Sequence, residues 1–242
     1  VAARPGVGKS TLALDIARSA AIHHDMTTVF FSLEMGRTEL AMRVLSAEGR
    51  ISMGRLKKGD LDQEGWTNLA TLQGKITGAP LFIDDSPNMT LMEIRAKCRR
   101  LKQRNQLQLV VLDYLQLMSS GKKVESRQQE VSEFSRSLKL LAKELEVPVI
   151  ALSQLNRGSE QRTDKRPMIS DLRESGSIEQ DADMVILLHR EDMYNPDSDR
   201  VGEADMIIAK HRGGPTKTIP LAFSGKYSRF NNMASETPPQ QY

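Results

Sequence analysis

The sequence is poor in cysteine, and its few histidines are not spaced as metal ligands. Cys98 is the single cysteine among 242 residues, so no disulfide framework can form within the chain. Its spacing from Ile94 and Leu101 predicts one shared helix face and therefore a buried thiol. Absence of zinc-ligand spacing argues against a zinc site. The four histidines are His23, His24, His189 and His211.

Long apolar runs and a strong charge of one sign are also absent. No segment approaches the roughly 20 apolar residues of a membrane span, and no secretory signal is visible, so we expect no membrane contact. The net charge of +3 and pI of about 9.0 are compatible with a polyanionic partner but too small to establish one. Without an initiator Met, the sequence is expected to begin inside its first strand and to be a piece of a longer protein.

What the sequence does contain is a regular alternation of strand and helix patterns. We predict strands over 28–33, 80–84, 108–113, 147–153 and 184–188, helices over 38–48, 62–73, 90–104 and 131–145, and a loop over 50–60. Glycines 49 and 74 are predicted to stop two of these helices, and Thr90 with Glu93 has capping-box spacing. Residues 204–210 and 216–223 indicate an antiparallel hairpin.

This order predicts an α/β domain with a mostly parallel central sheet flanked by helices and a C-terminal antiparallel hairpin. We assign residues 1–233 to this single domain. Residues 234–242 form a polar, Pro-rich segment that is expected to be disordered.

The first eleven residues contain the core of a phosphate-binding loop. Gly8 permits a close backbone approach, Lys9 can reach the outer phosphates, and the Ser10 hydroxyl can coordinate Mg²⁺. Ala3 stands where the usual pattern has glycine, so a chance match at a loop-to-helix junction is the alternative. An apolar helical stripe follows and argues against chance. The predicted ATP-binding segment comprises Arg4, Pro5, Gly6, Val7, Gly8, Lys9, Ser10 and Thr11.

Three polar residues end apolar strands, where ligands bind in parallel sheets. Asp113 could hold Mg²⁺ as a Walker-B-like acid, and with the phosphate loop present we prefer this to an ordinary strand-terminal Asp. Glu34 could activate a water, although this segment alone favours a surface glutamate. Gln154 could sense a γ-phosphate or merely cap its strand.

Basic residues mark one turn and two loops. Lys210 and Arg212 could serve as an arginine finger on a neighbouring subunit, although a solvated basic turn is the commoner explanation. Loops 118–130 and 156–176 carry several Lys and Arg residues but no aromatic residue. If they bind nucleic acid, they should grip its backbone rather than stack on bases; solvated loop charge is the alternative.

Taken together, six segments resemble the C-terminal, RecA-like motor domain of the DnaB-type replicative DNA helicases of bacteria. They are ARPGVGKS at 3–10, FSLEM at 31–35, VLDYLQL at 111–117, ALSQLNR at 151–157, DLRESGSIEQDAD at 171–183 and KHRGGPT at 210–216. Each is weak alone, but their shared order is specific and extends from Ala2 to about Asn231. Alanine at position 3 is common in this family.

The resemblance implies a P-loop NTPase fold with ATP and Mg²⁺ as cofactors. It also implies a homo-hexameric ring that travels 5′→3′ on single-stranded DNA in the bacterial cytoplasm. Primase and a helicase loader would be partners of the full-length protein. The implied roles are phosphate and Mg²⁺ binding for Lys9 and Ser10, catalytic base for Glu34, Walker B acid for Asp113, γ-phosphate sensor for Gln154, action in trans for Lys210 and Arg212, and a grip on the DNA backbone for Arg173, Glu174 and Gly176.

Two other functions compete with this interpretation. A RadA-type recombination factor would carry a Lys-Asn-Arg-Phe-Gly segment, but this chain has His211 and Gly213 at those positions. A non-catalytic module that uses ATP only to control assembly would bind ATP without DNA-stimulated turnover. The set Glu34, Asp113 and Arg212 argues against such a module.

Overall fold

The structure is a computed structural model that describes residues 1–118 and 127–233, without the side chains of residues 127 and 173–176. The predicted tail, 234–242, and two lysines of the predicted basic loop 118–130, Lys122 and Lys123, lie outside the described residues. Within the described part, no helix is long and apolar enough to cross a membrane. The same residues contain no group of three or more His, Cys, Asp or Glu side chains arranged to hold a metal.

The strands form two sheets, which are joined by the stretch of chain around Leu152. They are β1 Ala2–Ala3, β2 Thr28–Ser32, β3 Leu81–Asp84, β4 Leu109–Asp113, β5 Val149–Ala151, β6 Ser153–Gln154, β7 Met184–His189, β8 Glu203–His211, β9 Lys217–Ser224 and β10 Arg229–Asn232. One sheet has the order β3-β2-β4-β5, and the other has the order β10-β9-β8-β7-β1-β6. Leu152 connects β5 to β6, and its N–H donates to Leu112 O at 2.9 Å.

The pairs β3–β2, β2–β4, β4–β5, β6–β1 and β1–β7 are parallel. The pairs β7–β8, β8–β9 and β9–β10 are antiparallel. The carboxyl ends of β1, β2, β4 and β6 consequently lie on one side of the molecule, which we call the carboxyl edge. This confirms the predicted fold class, including the terminal hairpin.

Seven α-helices lie in the described part of the chain. They are α1 Lys9–Arg18, α2 Arg37–Gly49, α3 Met53–Lys58, α4 Gln63–Gly78, α5 Leu91–Asn105, α6 Arg127–Leu145 and α7 Gly176–Asp181. Successive residues of the central strands face opposite layers, because side chains alternate along a strand. Phe30 packs with α1 and α2, whereas Phe31 packs in the cluster that includes Cys98 of α5 and Phe134 of α6. Both faces of the central sheet are therefore covered, as parallel sheets require.

Two predictions about secondary structure were wrong, and one strand was missed. The predicted loop 50–60 contains α3, which begins after Ser52, whose Oγ accepts from Arg55 N at 3.4 Å. Helix α4 passes through Gly74 and ends at Gly78. The strand β10 was not predicted. Cys98 is fully buried as expected, and burial raises the pKa of its thiol to about 12.

Candidate active site

The phosphate loop connects β1 to α1 at the carboxyl edge. Gly6 and Gly8 have φ values of 80° and 114°, in the left-handed region that favours glycine. Gly8 is the N-cap of α1; among the described residues no side chain accepts from the free N–H groups of this cap, and the first turn has no acidic residue. An uncapped helix N-terminus attracts anions through these N–H groups and the helix dipole.

Lys9 brings two of the predicted catalytic residues together. Its Nζ lies 3.3 Å from Glu34 Oε2 and 3.5 Å from Asp113 Oδ1. The ammonium also lies 4.4 Å from the ring centroid of Tyr114, which follows Asp113 through a cis peptide bond. Only 11% of the Lys9 side chain is exposed, so its charge is directed into this cluster. The arrangement fits the predicted grouping of Lys9, Glu34 and Asp113.

Asp113 is a fully buried carboxylate without ordinary hydrogen-bond partners. Neither of its oxygens makes a hydrogen bond of normal geometry to any described residue. Burial raises the pKa of Asp113, the Lys9 charge and the nearby Ser10 hydroxyl lower it, and the Glu34 charge raises it again. Buried polar groups are nearly always paired, and hard cations such as Mg²⁺ bind carboxylate oxygens. The orphaned carboxylate beside Ser10 therefore fits a divalent cation.

Glu34 sits just beyond β2, next to Asp113 in the sheet register. Ser32 pairs with Asp113, and the N–H of Leu33 donates to Asp113 O at 2.7 Å. The chain then turns where Ser32 Oγ accepts from Met35 N at 3.0 Å. With 49% of its side chain exposed, Glu34 can meet both solvent and the buried cluster.

Gln154 lies beside the phosphate loop and is tied to a residue that sequence reasoning missed. Ala3 and Gln154 are partners in the parallel pairing of β1 with β6. Gln154 N donates to Gln116 Oε1 at 3.2 Å, and Gln116 Nε2 donates to Ser153 Oγ at 2.8 Å. The available signal was a polar residue in the apolar run after Asp113.

The side chain of Arg4 is held by the chain that follows Gln154. Its Nε donates to Glu160 Oε1 at 2.7 Å, and its Nη1 donates to Leu155 O at the same distance. Arg4 is 8% exposed, so this guanidinium fastens the base of the loop to the start of the 156–176 segment. Of the other predicted loop residues, Pro5 and Gly6 are exposed, and Val7 and Thr11 are buried.

Lys210 and Arg212 do not join the carboxyl-edge cluster of their own chain. His211 pairs with Met184, at the amino end of β7, whereas the phosphate loop follows the carboxyl end of β1, parallel to β7. The six residues of β7 span about 20 Å. We call this opposite side the amino edge.

Both cations are bonded near the end of α7. Lys210 Nζ donates to Glu179 O, and Arg212 Nη2 donates to Gln180 O at 2.8 Å. Arg212 Nη1 is 3.7 Å from Asp183 Oδ1. Cations suit this position, because the free carbonyls of a helix end carry partial negative charge.

The predicted DNA-binding residues Arg173, Glu174 and Gly176 lie where a 3₁₀ segment, Ile169–Ser175, meets α7. Their side chains lie outside the described part of the structure. The backbone before them is anchored by Asp171, whose carboxylate accepts two hydrogen bonds of 2.8 Å from Arg162. Asn156 N donates to Asp171 O at 3.1 Å, so this segment is tied to the chain beyond Gln154.

Comparison with known proteins identifies close relatives. A profile of the family described as DnaB-like helicase C terminal domain matches residues 1–232. The Replicative DNA helicase DnaB of Leifsonia xyli subsp. xyli is 70% identical over 234 residues, which are 97% of this chain and 51% of the relative. The helicase of the same name from Mycobacterium leprae is 63% identical over 225 residues, 93% of this chain and 37% of the relative. The chain thus spans about half or less of these curated relatives.

Two solved structures have the same fold at 42% sequence identity and a TM-score of 0.92. One is an ATPase domain, for which the match covers 96% of this chain and 83% of the other. The second is a DnaB-like replicative helicase described with its interactions with primase, for which the match covers 96% of this chain and 56% of the other.

Proposed function

This chain belongs to the DnaB-like helicase C-terminal domain family, and from that premise we propose that residues 1–233 are the ATP-hydrolysing motor of a bacterial replicative DNA helicase. The observation that carries the proposal is the convergence of Lys9, Glu34 and Asp113 at an uncapped helix N-terminus. The high identity to replicative helicases favours this function over a recombination factor.

Each residue of the cluster has a role in the proposed reaction. The loop N–H groups and Lys9 bind the triphosphate of ATP. Ser10 and Asp113 hold Mg²⁺, which supplies positive charge to the phosphates when bound. Glu34 orients a water and takes its proton. When Lys9 turns to the phosphates, Glu34 loses its cationic partner and is free to act as a base.

Lys210 and Arg212 complete the site of a neighbouring subunit in a homo-hexameric ring. The separation of the two edges supports this role, because a cation at the amino edge faces outward from its own nucleotide. A neighbour that places its amino edge against this carboxyl edge would supply the missing positive charge. Gln154 would sense the γ-phosphate, and Arg173, Glu174 and Gly176 would grip single-stranded DNA during 5′→3′ travel. Primase and loader would be partners of the full-length protein in the cytoplasm.

The test is ATP hydrolysis by the 242-residue chain over a range of protein concentrations, with and without single-stranded DNA. The oligomeric state of the chain is measured alongside, with and without an ATP analogue. If neighbours complete each site, turnover per chain rises with concentration, and Lys9→Ala and Arg212→Ala both abolish the rise. Turnover per chain that is independent of concentration and unaffected by Arg212→Ala would refute the shared site.

A further inference from the structure

The last strand, β10, reaches the phosphate loop through one aromatic ring. Phe230 is 7% exposed and lies against Gly8. A Cβ placed on Gly8 would lie 3.0 Å from Phe230 Cζ and 3.3 Å from Phe230 Cε2. Glycine therefore serves this position in two ways, because it adopts the φ of 114° and leaves room for the ring.

The helix that follows the loop holds Phe230 in place. Phe230 N donates to Asp15 Oδ2 at 2.6 Å, and Asp15 lies on α1, about two turns beyond Gly8. The preceding residue, Arg229, donates from Nη1 to Ala47 O at 3.0 Å at the end of α2. The backbone of β10 is thus fastened to α1 and α2 while the Phe230 side chain reaches Gly8.

A second aromatic residue supports the ring from the other side. Phe223, the partner of Phe230 across β9 and β10, has its ring centroid 4.8 Å from that of Phe230 at 45°. The Arg190 guanidinium lies 4.0 Å from the Phe223 centroid, and its Nη2 is 3.0 Å from Asp192 Oδ2. Such packed contacts restrict the Phe230 ring to one position.

We propose that Phe230 is a positioning residue for nucleotide binding. Its ring packs against Gly8 and thereby fixes the direction of the loop N–H groups and the start of α1 at Lys9. Phe230 touches no phosphate and acts only through the loop. The inference rests on the proposed ATP site and adds a C-terminal strand to it.

The test is the affinity of the 242-residue chain for a non-hydrolysable ATP analogue with Mg²⁺, measured by calorimetry. Phe230→Leu shortens the side chain, so that it no longer reaches Gly8, and should raise Kd roughly ten-fold, as typical for loss of a supporting residue. Phe134→Leu is the matched control, because Phe134 is also buried, at 2% exposure, in the cluster between the sheet and α6. This variant should bind the analogue as the parent does.

A second variant retains the aromatic ring and tests the direction of the contact. Phe230→Tyr retains the ring but adds a hydroxyl at Cζ, the atom nearest to Gly8. It should also weaken binding, and the rise in unfolding temperature on adding the analogue should shrink accordingly. A purely structural aromatic residue would lose stability on this change without losing affinity for the analogue.

The possible outcomes separate the two proposals. Weaker binding by both Phe230 variants, with Phe134→Leu unchanged, supports the positioning role. Unchanged binding by the Phe230 variants, or equal losses in Phe230→Leu and Phe134→Leu, overturns it. Lys9→Ala is included throughout: if that variant binds the analogue normally, the nucleotide site itself is wrong, regardless of Phe230.

Discussion

The two edges of the sheet carry different halves of the proposed chemistry. At the carboxyl edge, Lys9 contacts both Glu34 and Asp113, and the Asp113 carboxylate lacks hydrogen bonds to the described residues. At the amino edge, Lys210 and Arg212 are bonded to the end of α7 and have no nucleotide loop beside them. The carboxyl edge is thus an almost complete site, whereas the amino edge offers charge to another molecule. The difference is what the proposed sharing of one site between identical subunits requires.

The largest expected effect is on ATP hydrolysis, and mixing subunits with different substitutions tests the two edges separately. Arg212→Ala should leave ATP binding largely intact but lower turnover by roughly 10³–10⁵-fold, as for other arginine fingers. Glu34→Gln should abolish hydrolysis at the opposite edge. Mixtures of the two variants should regain part of the activity, because some interfaces pair an intact Glu34 with an intact Arg212. ATPase activity that never exceeds the sum of the separate variants would contradict sharing.

The segment proposed to bind DNA, residues 173–176, connects the two edges, since the chain before it is bonded to the chain after Gln154 and it leads into α7. Arg173→Ala should weaken binding of single-stranded DNA and reduce the slope of log K against log salt by about 0.7, the value for one phosphate contact. Binding is measured by fluorescence anisotropy at several salt concentrations. Arg104→Ala, at an exposed position near the end of α5, is the control. An unchanged slope would remove Arg173 from the DNA contact.

Replacing an aspartate by asparagine should stabilise the chain at the carboxyl edge but not at the amino edge. Asp113→Asn should raise the stability of the nucleotide-free chain by about 1 kcal/mol, because burial disfavours the Asp113 charge more than Lys9 and the Ser10 hydroxyl favour it. Asp183→Asn should not stabilise, since Lys139 and Arg212 surround the Asp183 carboxylate. Urea unfolding measures both. A stabilised Asp183→Asn or a destabilised Asp113→Asn would contradict the comparison.

The pH dependence should follow the same division. Burial raises the pKa of Asp113 above 3.8, so the folded chain keeps a proton that the unfolded chain loses, and stability falls as pH rises through this window. The hydrogen bond from Lys139 lowers the pKa of Asp183, so its contribution is present above 3.8 and is lost as pH falls below it. Each Asn variant should remove the corresponding slope.

The smallest effect concerns His189, at the carboxyl end of β7. Burial, followed by the charge of Arg166, lowers its pKa below 6.5, and Asp205 partly opposes the shift. Below pH 6.5 the unfolded chain therefore binds a proton that the folded chain does not, and the stability of the folded chain decreases as the pH is lowered. His189→Gln should lose less stability than the parent between pH 7 and 5.5, as measured by unfolding temperature. His24→Gln, at an exposed position, is the control; an equal pH slope in parent and His189→Gln would refute this effect.

The carboxyl-edge cluster could be predicted because strand ends impose it. Once β2 and β4 are recognised as parallel neighbours, Glu34 and Asp113 must lie close together. The missed features depend on distant contacts. Helix α4 passes Gly74 because Leu72 and Ile76 pack inward, which outweighs the roughly 1 kcal/mol cost of one glycine. The hydrogen bond of Arg4 to Glu160 joins residues 156 positions apart, and no local pattern reveals it.

The helix α3 and the strand β10 were missed for a local reason. Both are short, with six and four residues, and short elements have little periodicity to detect. Ser52 was nevertheless a recognisable N-cap. The chain enters β10 from Ser228, whose φ of 50° is unusual for a residue other than glycine and has no clear sequence signal.

The amide of Gln116 makes the ends of β4 and β6 one stiff unit. It bonds to Ser153 Oγ and Gln154 N, and two residues later Asn156 N bonds to Asp171 O. A stretch of backbone held by successive hydrogen bonds transmits a small displacement better than a loop without such bonds. These hydrogen bonds therefore form a continuous connection from the strand ends beside the phosphate loop to the backbone that precedes residues 173–176.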